Sequence, residues 1–337
     1  MKIIMDGFGG DHAPDEVIKG ARQAADDFGA EIILAGREST LRERAQALGV
    51  SLDGIGILDA PDVISMEDAP TDVVRAKKNS SMAVGLRAIA AGEGDAFVSA
   101  GSTGALVVGA RTYVRCIPGL RRAALSPLVP CNTGCYMLLD SGANAECRPD
   151  MLLHFGYMGS IYMEKVLHIK KPRVGLANIG TEPTKGTDLQ REAYKLLQES
   201  SLNFVGNVEG RAIPLGVCDV VVTDGFTGNM ILKTTEGVGL AFAGNVKSIF
   251  KRNAFTMMAG ALVMGGLRDF KKKMDYTEYG GAPLMGIARP VIKAHGSSTA
   301  KAFRNAVRQA VSFVDEGVIG DIQKSLPKLE KQDETPA

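Results

Sequence analysis

No stretch of this sequence reaches the roughly 18 consecutive apolar residues that a membrane-spanning helix needs, so the expectation is a soluble or membrane-surface protein. Neither sign of charge is in excess: 39 Lys plus Arg stand against 38 Asp plus Glu. With no global field to draw in nucleic acid, none is expected as a partner, and any charge-guided partner has to be met by a local patch. Histidine is scarce, and His12, His154, His168 and His295 do not by themselves mark a triad. The five cysteines (Cys116, Cys131, Cys135, Cys147 and Cys218) are an odd number, and no signal-peptide pattern opens the chain. They read as free cytosolic thiols. Cys131 and Cys135 form a lone CxxxC with no second Cys or His pair at a matching spacing, so no metal site is expected. Also missing is the third glycine of the dinucleotide fingerprint. In Asp6–Pro14, DGFGGDHAP, His12 stands in its place, which argues against a nicotinamide cofactor.

What is abundant is glycine: 40 in 337 residues, without a repeat. That many glycines point to numerous positive-φ turns, or to backbone that approaches a ligand closely. Hydrophobic residues make up 45% and charged residues 23%, which suits a folded α/β chain and excludes a disordered or fibrous one. Strand-like apolar runs at 2–5, 31–35, 55–58, 96–100, 136–139 and 219–223 alternate with helical spacing, as in a mostly parallel sheet covered by helices. A single large α/β domain over residues 1–326, or two subdomains, is expected, with a disordered tail over 327–337.

The stretch around which the rest is organised is Val174–Asp188, VGLANIGTEPTKGTD. Its apolar start suits a strand buried on both faces. Asn178, Thr181 and Lys185 follow with Gly180 and Gly186, so backbone N–H groups, a hydroxyl and an ammonium can converge on a phosphate-sized anion. Thr187 or Asp188 would cap the next helix. A similar loop, Gly101–Gly104 with Ser102 and Thr103, leads into another helix. Asp6, Asp140, Asn144, Asp224 and His295 likewise stand where strands are expected to end, and ligands of open α/β sheets bind at such ends. Arg75, Lys77 and Lys78 make a basic turn before Ser80 and Ser81, either of which can cap a helix. Within Pro149–Leu167, residues Met158, Gly159, Ile161, Tyr162 and Val166 offer a packing or dimer face.

One stretch breaks the pattern. Ala254–Leu267, AFTMMAGALVMGGL, has 14 residues without a charge and is flanked by Lys251, Arg252, Arg268 and Lys271–Lys273. It is too short to span a bilayer. Phe255, Met258, Leu262 and Leu267 suit contact with a membrane surface, where apolar burial and attraction to anionic lipid act together. The competing reading is a buried core or dimer hairpin.

Taken in order, MDGFGGDHAP, RAKKNSSM, SAGSTGAL, LDSGAN, NIGTEPTKGTD, FVGNVEGR, VVTDGFTGN, GGAPLMGI and AHGSS resemble the bacterial phosphate acyltransferases of phospholipid synthesis, from residue 3 to about 313. Least family-like is Ser126–Tyr136. The resemblance implies reversible transfer of a fatty acyl group from acyl carrier protein to inorganic phosphate, without a cofactor. It implies a Rossmann-like three-layer fold similar to isocitrate dehydrogenases and phosphate acetyltransferases, and a homodimer. It also implies delivery of the acyl phosphate at the inner face of the membrane, with the downstream glycerol-3-phosphate acyltransferase as a candidate partner. Within it, Lys185 and Asn229 are expected to serve acyl transfer, with Asp224 positioning them or capping its helix. Phosphate is expected among Ser102, Thr103, Asn178 and Thr181, and the carrier protein at Arg75, Lys77 and Lys78. Alternatives are a phosphate acetyltransferase-like enzyme using acyl-CoA, a dehydrogenase on the same fold, or a membrane-bound scaffold.

Overall fold

The first strand, β1 (Lys2–Asp6), shows why this chain builds layers. Ile3 and Met5 point to one apolar cluster and Ile4 to another, so both faces of the strand are covered. The computed structural model describes residues 1–273 and 276–330. After β1 come α1 (Asp15–Phe28), β2 (Glu31–Gly36), α2 (Glu38–Leu48), β3 (Ile55–Asp59), α3 (Ser81–Ala90), β4 (Ala96–Ser99) and α4 (Thr103–Gly109). There follow β5 (Ala124–Leu125), β6 (Leu128–Cys131), β7 (Gly134–Leu139), α5 (Pro149–Lys165), β8 (Arg173–Asn178), α6 (Asp188–Glu199), β9 (Asn203–Glu209) and β10 (Val220–Val222). The chain continues with α7 (Gly225–Phe250), α8 (Ala254–Lys273), β11 (Ala282–Met285), β12 (Val291–Lys293), α9 (Ala300–Asp315) and α10 (Val318–Glu330). Residues 331–337, most of the expected tail, lie outside the described residues.

The strands divide between two sheets. One has the order β3-β2-β1-β4-β12-β11-β5, parallel from β3 to β12 and antiparallel at β11 and β5. The other, β6-β7-β10-β8-β9, is parallel except for the β6–β7 hairpin. In the larger sheet, Val17, Ile18, Ala21, Phe303 and Ala306 of α1 and α9 cover one face, while Met82, Leu86 and Leu106 of α3 and α4 cover the other. In the smaller one, Leu152, Phe155 and Met158 of α5 with Leu197 of α6 fill one face, and Ile231 and Leu232 of α7 approach the other. This is the expected α/β three-layer architecture, built twice. The β5, β6 and β11 segments were not foreseen, and the Ser126–Tyr136 stretch folds as the β6–β7 hairpin.

Met158, Gly159 and Tyr162 are buried among core residues of α5, as the packing reading of that face expects, while Ile161 and Val166 are half-buried. The opposite is true of the uncharged stretch. Helices α7 and α8 form a hairpin whose turn is closed by Asn253, the Oδ1 of which accepts the Thr256 N–H at 2.9 Å. Phe255 is 84% exposed, Met258 69% and Leu262 88%, so within the single chain these residues are not core. Leu267 lies on α8, with its side chain outside the described residues. The exposed apolar row begins earlier than expected, with Val238, Leu240 and Phe242 on α7. Among the described residues no helix is long and apolar enough to cross a membrane.

Candidate functional site

Parallel strands put their carboxyl ends on one edge, and here both sheets bring those ends toward a common region. In the larger sheet, Lys293 of β12 pairs in register with Ser99 of β4, and Ser99 Oγ donates to Asp6 Oδ2 at 2.7 Å. Ser81 Oγ donates to Asp6 Oδ1 at 2.6 Å. Burial pushes the Asp6 carboxyl up, against these hydrogen bonds. Ser102 is buried and Thr103 half-buried at the start of α4. His295 follows β12, and its Nδ1 lies 2.9 Å from Ser297 Oγ. Burial, then the charge of Lys233, holds the imidazole below its usual pKa and thus neutral at pH 7.

In the smaller sheet Asp140 directly follows β7 and is fully buried. Its Oδ1 accepts the N–H groups of Leu125, Gly142 and Ala143 at 2.9, 3.1 and 3.1 Å. Its Oδ2 accepts the backbone N–H and the side-chain amide of Asn144 at 2.7 and 2.9 Å. Asn144 in turn donates to Ala123 O. Both residues were candidates for the site, and both instead tie the loop after β7 to the neighbouring sheet. Gly228 approaches this loop so closely that a Cβ there would lie 1.8 Å from Asp140 O, which only glycine avoids.

Asp224 caps α7: it accepts from Thr227 N and Thr227 Oγ1, both at 2.8 Å. Of its two expected roles the cap is the one present, with both carboxylate oxygens engaged. Asn229 is exposed one turn on, and Lys233 follows at i+4 on the same helix face. Lys233 pairs with Glu236 at 2.8 Å and lies close enough to Lys293 and His295 to shift both. The start of α7, packed on one sheet, thus comes close to the β12 strand end of the other.

Lys185 is exposed on a loop with a fixed backbone. Asn178 donates to Lys185 O at 3.1 Å, and Asn207 donates to Glu182 O at 2.8 Å. Thr187 N donates to Gln190, forming the expected helix start. Of the four expected phosphate ligands, Ser102 and Thr103 belong to one sheet and Asn178 and Thr181 to the other. Lys77 is a correction: its ammonium is engaged by Asp68 at 2.6 Å and by Val63 O at 3.0 Å, leaving Arg75 and Lys78 exposed in that basic turn. His12 lies apart, in an open groove with Asp15, Glu16, Lys19, Arg44 and Thr299. Burial pushes the Cys135 thiol up to about 11, so it is not a thiolate at neutral pH.

Sequence reasoning missed Ser81, Ser99, Lys233 and Lys293. The i+4 spacing from Asn229 could have marked Lys233. Lys293 had a weaker signal, a lysine ending an apolar run directly before AHGSS.

The description "fatty acid synthesis protein" belongs to the family that matches residues 1–321. A phosphate acyltransferase of Thermoanaerobacter pseudethanolicus is 48% identical over 330 residues, 98% of each chain. Among solved structures, a phosphotransacetylase from Streptococcus pyogenes superposes with a TM-score of 0.64 at 18% identity, covering 94% of both chains. A 4-hydroxythreonine-4-phosphate dehydrogenase from Klebsiella pneumoniae gives 0.53 at 12% identity, covering 95% of this chain and 99% of the other. At such identities the structural likeness concerns the fold alone.

Proposed function

The chain belongs to the phosphate acyltransferase family of fatty acid and phospholipid synthesis, and from that premise we propose that it moves a fatty acyl group from acyl carrier protein to inorganic phosphate, reversibly, giving acyl phosphate. The observation that carries this reading is the approach of α7, with Asn229 and Lys233, to the β12 strand end, where Lys293 stands in register with Ser99 beside the Gly101–Thr103 loop. Phosphate is already an anionic nucleophile near neutral pH. The protein has to desolvate it, aim it at the thioester carbonyl and stabilise the oxyanion that forms. A phosphate oxygen bonds to the carbonyl carbon, the tetrahedral centre collapses, and the C–S bond breaks. The departing thiol has a pKa of about 8.5, so it leaves with little acid assistance. Lys185 is the cation for phosphate or oxyanion and Asn229 a neutral donor beside it. Ser102 and Thr103 at one strand end and Asn178 and Thr181 at another hold phosphate, and Asp224 positions Asn229 through its cap. Incubation with radiolabelled phosphate tests the reading: labelled acyl phosphate should form from acyl carrier protein in preference to acyl-CoA. Equal use of acyl-CoA would favour a phosphate acetyltransferase-like enzyme.

An acidic carrier protein calls for a local basic surface. Arg75 and Lys78 supply it. Reversing both charges to Glu should raise the Michaelis constant for acyl carrier protein several-fold at low salt and less at high salt, because exposed charges are screened beyond about 10 Å at 0.1 M. A salt-independent effect would contradict this docking site.

The tip of the α7–α8 hairpin is the part proposed to touch the inner leaflet, where a lipid-soluble acyl phosphate is handed to the downstream acyltransferase. The exposure of Phe255, Met258 and Leu262 supports this, and Val238, Leu240 and Phe242 are the surface a second copy would cover in a homodimer. Replacing Met258 and Leu262 by Glu should abolish flotation with anionic liposomes and leave turnover of soluble acyl carrier protein near wild type. Persistent flotation would place the membrane contact elsewhere.

A further inference from the structure

Lys293 takes no part in the steps above, yet its surroundings are those of a ligand-binding cation. It ends a strand whose two preceding residues, Val291 and Ile292, are buried. Its ammonium donates to Ala100 O at 3.3 Å and to Ala294 O. Ala100 leads into the Gly101–Thr103 loop and Ala294 into the His295–Ser298 loop, so Nζ is fastened between two strand-end loops. An ammonium has three N–H donors. Two carbonyls fix its direction, and one donor is left for another acceptor.

The charged groups around it come from four elements. Asp6 ends β1, and Asp11 follows in the next loop, with its backbone N–H on Gly296 O at 2.8 Å. Lys233 faces it from α7, carrying Glu236 as its ion-pair partner, and His295 stands two residues on, held neutral. Burial lowers the Lys293 pKa to about 8, Lys233 adds to this, and Asp6 and Asp11 oppose it. Two lysines that approach from different sheets repel each other, and an anion between them relieves that repulsion. The same loop holds Ser298, whose buried Oγ has no hydrogen-bond partner among the described residues.

We propose that Lys293 is a phosphate-binding residue, its remaining N–H holding the nucleophile at the Gly101–Thr103 loop opposite Lys233 and Asn229. The proposal rests on the acyl-transfer reading above and deepens it. Two cations then have separate roles. Lys293, fastened and partly desolvated, holds phosphate, and Lys185, on the other sheet, is left to the oxyanion. The competing account is that Lys293 only pins two loops.

Steady-state kinetics from pH 7 to 9.5 distinguish them, with wild type, Lys293→Arg and Lys293→Gln, beside equilibrium dialysis of radiolabelled phosphate. In wild type the Michaelis constant for phosphate should rise about tenfold per pH unit once the pH exceeds the pKa of the lysine, while that for the acyl donor stays level. Arginine remains cationic throughout, so the Lys293→Arg profile should be flat. Lys293→Gln should weaken phosphate binding about tenfold to a hundredfold at pH 7.5 with a smaller change in kcat. A flat wild-type profile, a profile that titrates equally in Lys293→Arg, or a folded Gln variant with unchanged phosphate affinity overturns the assignment. If the Gln variant does not fold, the comparison of wild type with Lys293→Arg decides alone. Lys293-dependent phosphate binding without acyl transfer would retain the site and reject the reaction. Transfer with Lys293-independent phosphate affinity would do the reverse.

Discussion

Lys185→Ala is expected to lower turnover about tenfold to a thousandfold, the range for losing one donor to a developing oxyanion, with stability close to wild type. The stability half of that expectation follows from exposure, since the Lys185 side chain is on the surface and its removal leaves no cavity. The turnover half follows from how the loop is built. Asn178 holds Lys185 O, Asn207 holds Glu182 O, and Gly186 adopts φ +91°, where a Cβ would lie 2.6 Å from Asn178 Oδ1. The side chain therefore springs from a fixed point at the end of β8, and the alanine variant deletes the charge without moving the loop. The measurement is kcat at saturating phosphate and acyl donor, with circular dichroism as the control for folding. A folded variant that turns over like wild type removes Lys185 from the chemistry.

Asp140→Asn is expected to cost on the order of 3 kcal/mol of stability, read from the urea midpoint. All five partners of this buried carboxylate are N–H donors. An amide keeps one acceptor oxygen and turns an NH2 toward the other set of donors, so at least two buried N–H groups lose their acceptor, each at about 1–3 kcal/mol. Burial raises the Asp140 pKa, but a protonated carboxyl would aim its O–H at one of the same donors. The arrangement therefore needs the ionised form. Activity should fall too, because the loop carries Gly142, which lies beside Asn229. The informative comparison is turnover per folded molecule. Full stability with lost turnover would make Asp140 part of the chemistry rather than the anchor of its loop.

Reading the chain alone reached the helix start at Thr187 or Asp188 and most of the parallel strands, because caps and apolar periodicity are local properties of a few adjacent residues, but it placed the start of α7 near Met230, later than Gly225. It did not reach β5, only two residues long, or β11, whose partner β5 lies far along the chain. The uncharged stretch shows the boundary between the two kinds of information. Its length and flanks were legible, but whether Leu262 faces solvent or core depends on what packs against α8.

The site divides in the same way. That strands end in Gly with Asp, Asn, Ser, Thr or Lys is written in the order of residues, and that order alone was enough to point to anion chemistry on an α/β scaffold. Tertiary structure decided which of those polar groups remain open to a ligand. Asp140 and Asp224 look alike in sequence to residues that bind substrates, and both are saturated by neighbouring N–H or O–H groups. Lys77 is taken by Asp68. Lys293 looked like the ordinary end of a strand, yet residues 6, 11, 100 and 233 surround it in space. Hydrogen-bond saturation and desolvation are properties of neighbours brought together by folding, so the order of residues can nominate a charged group, and only the packing determines what it does.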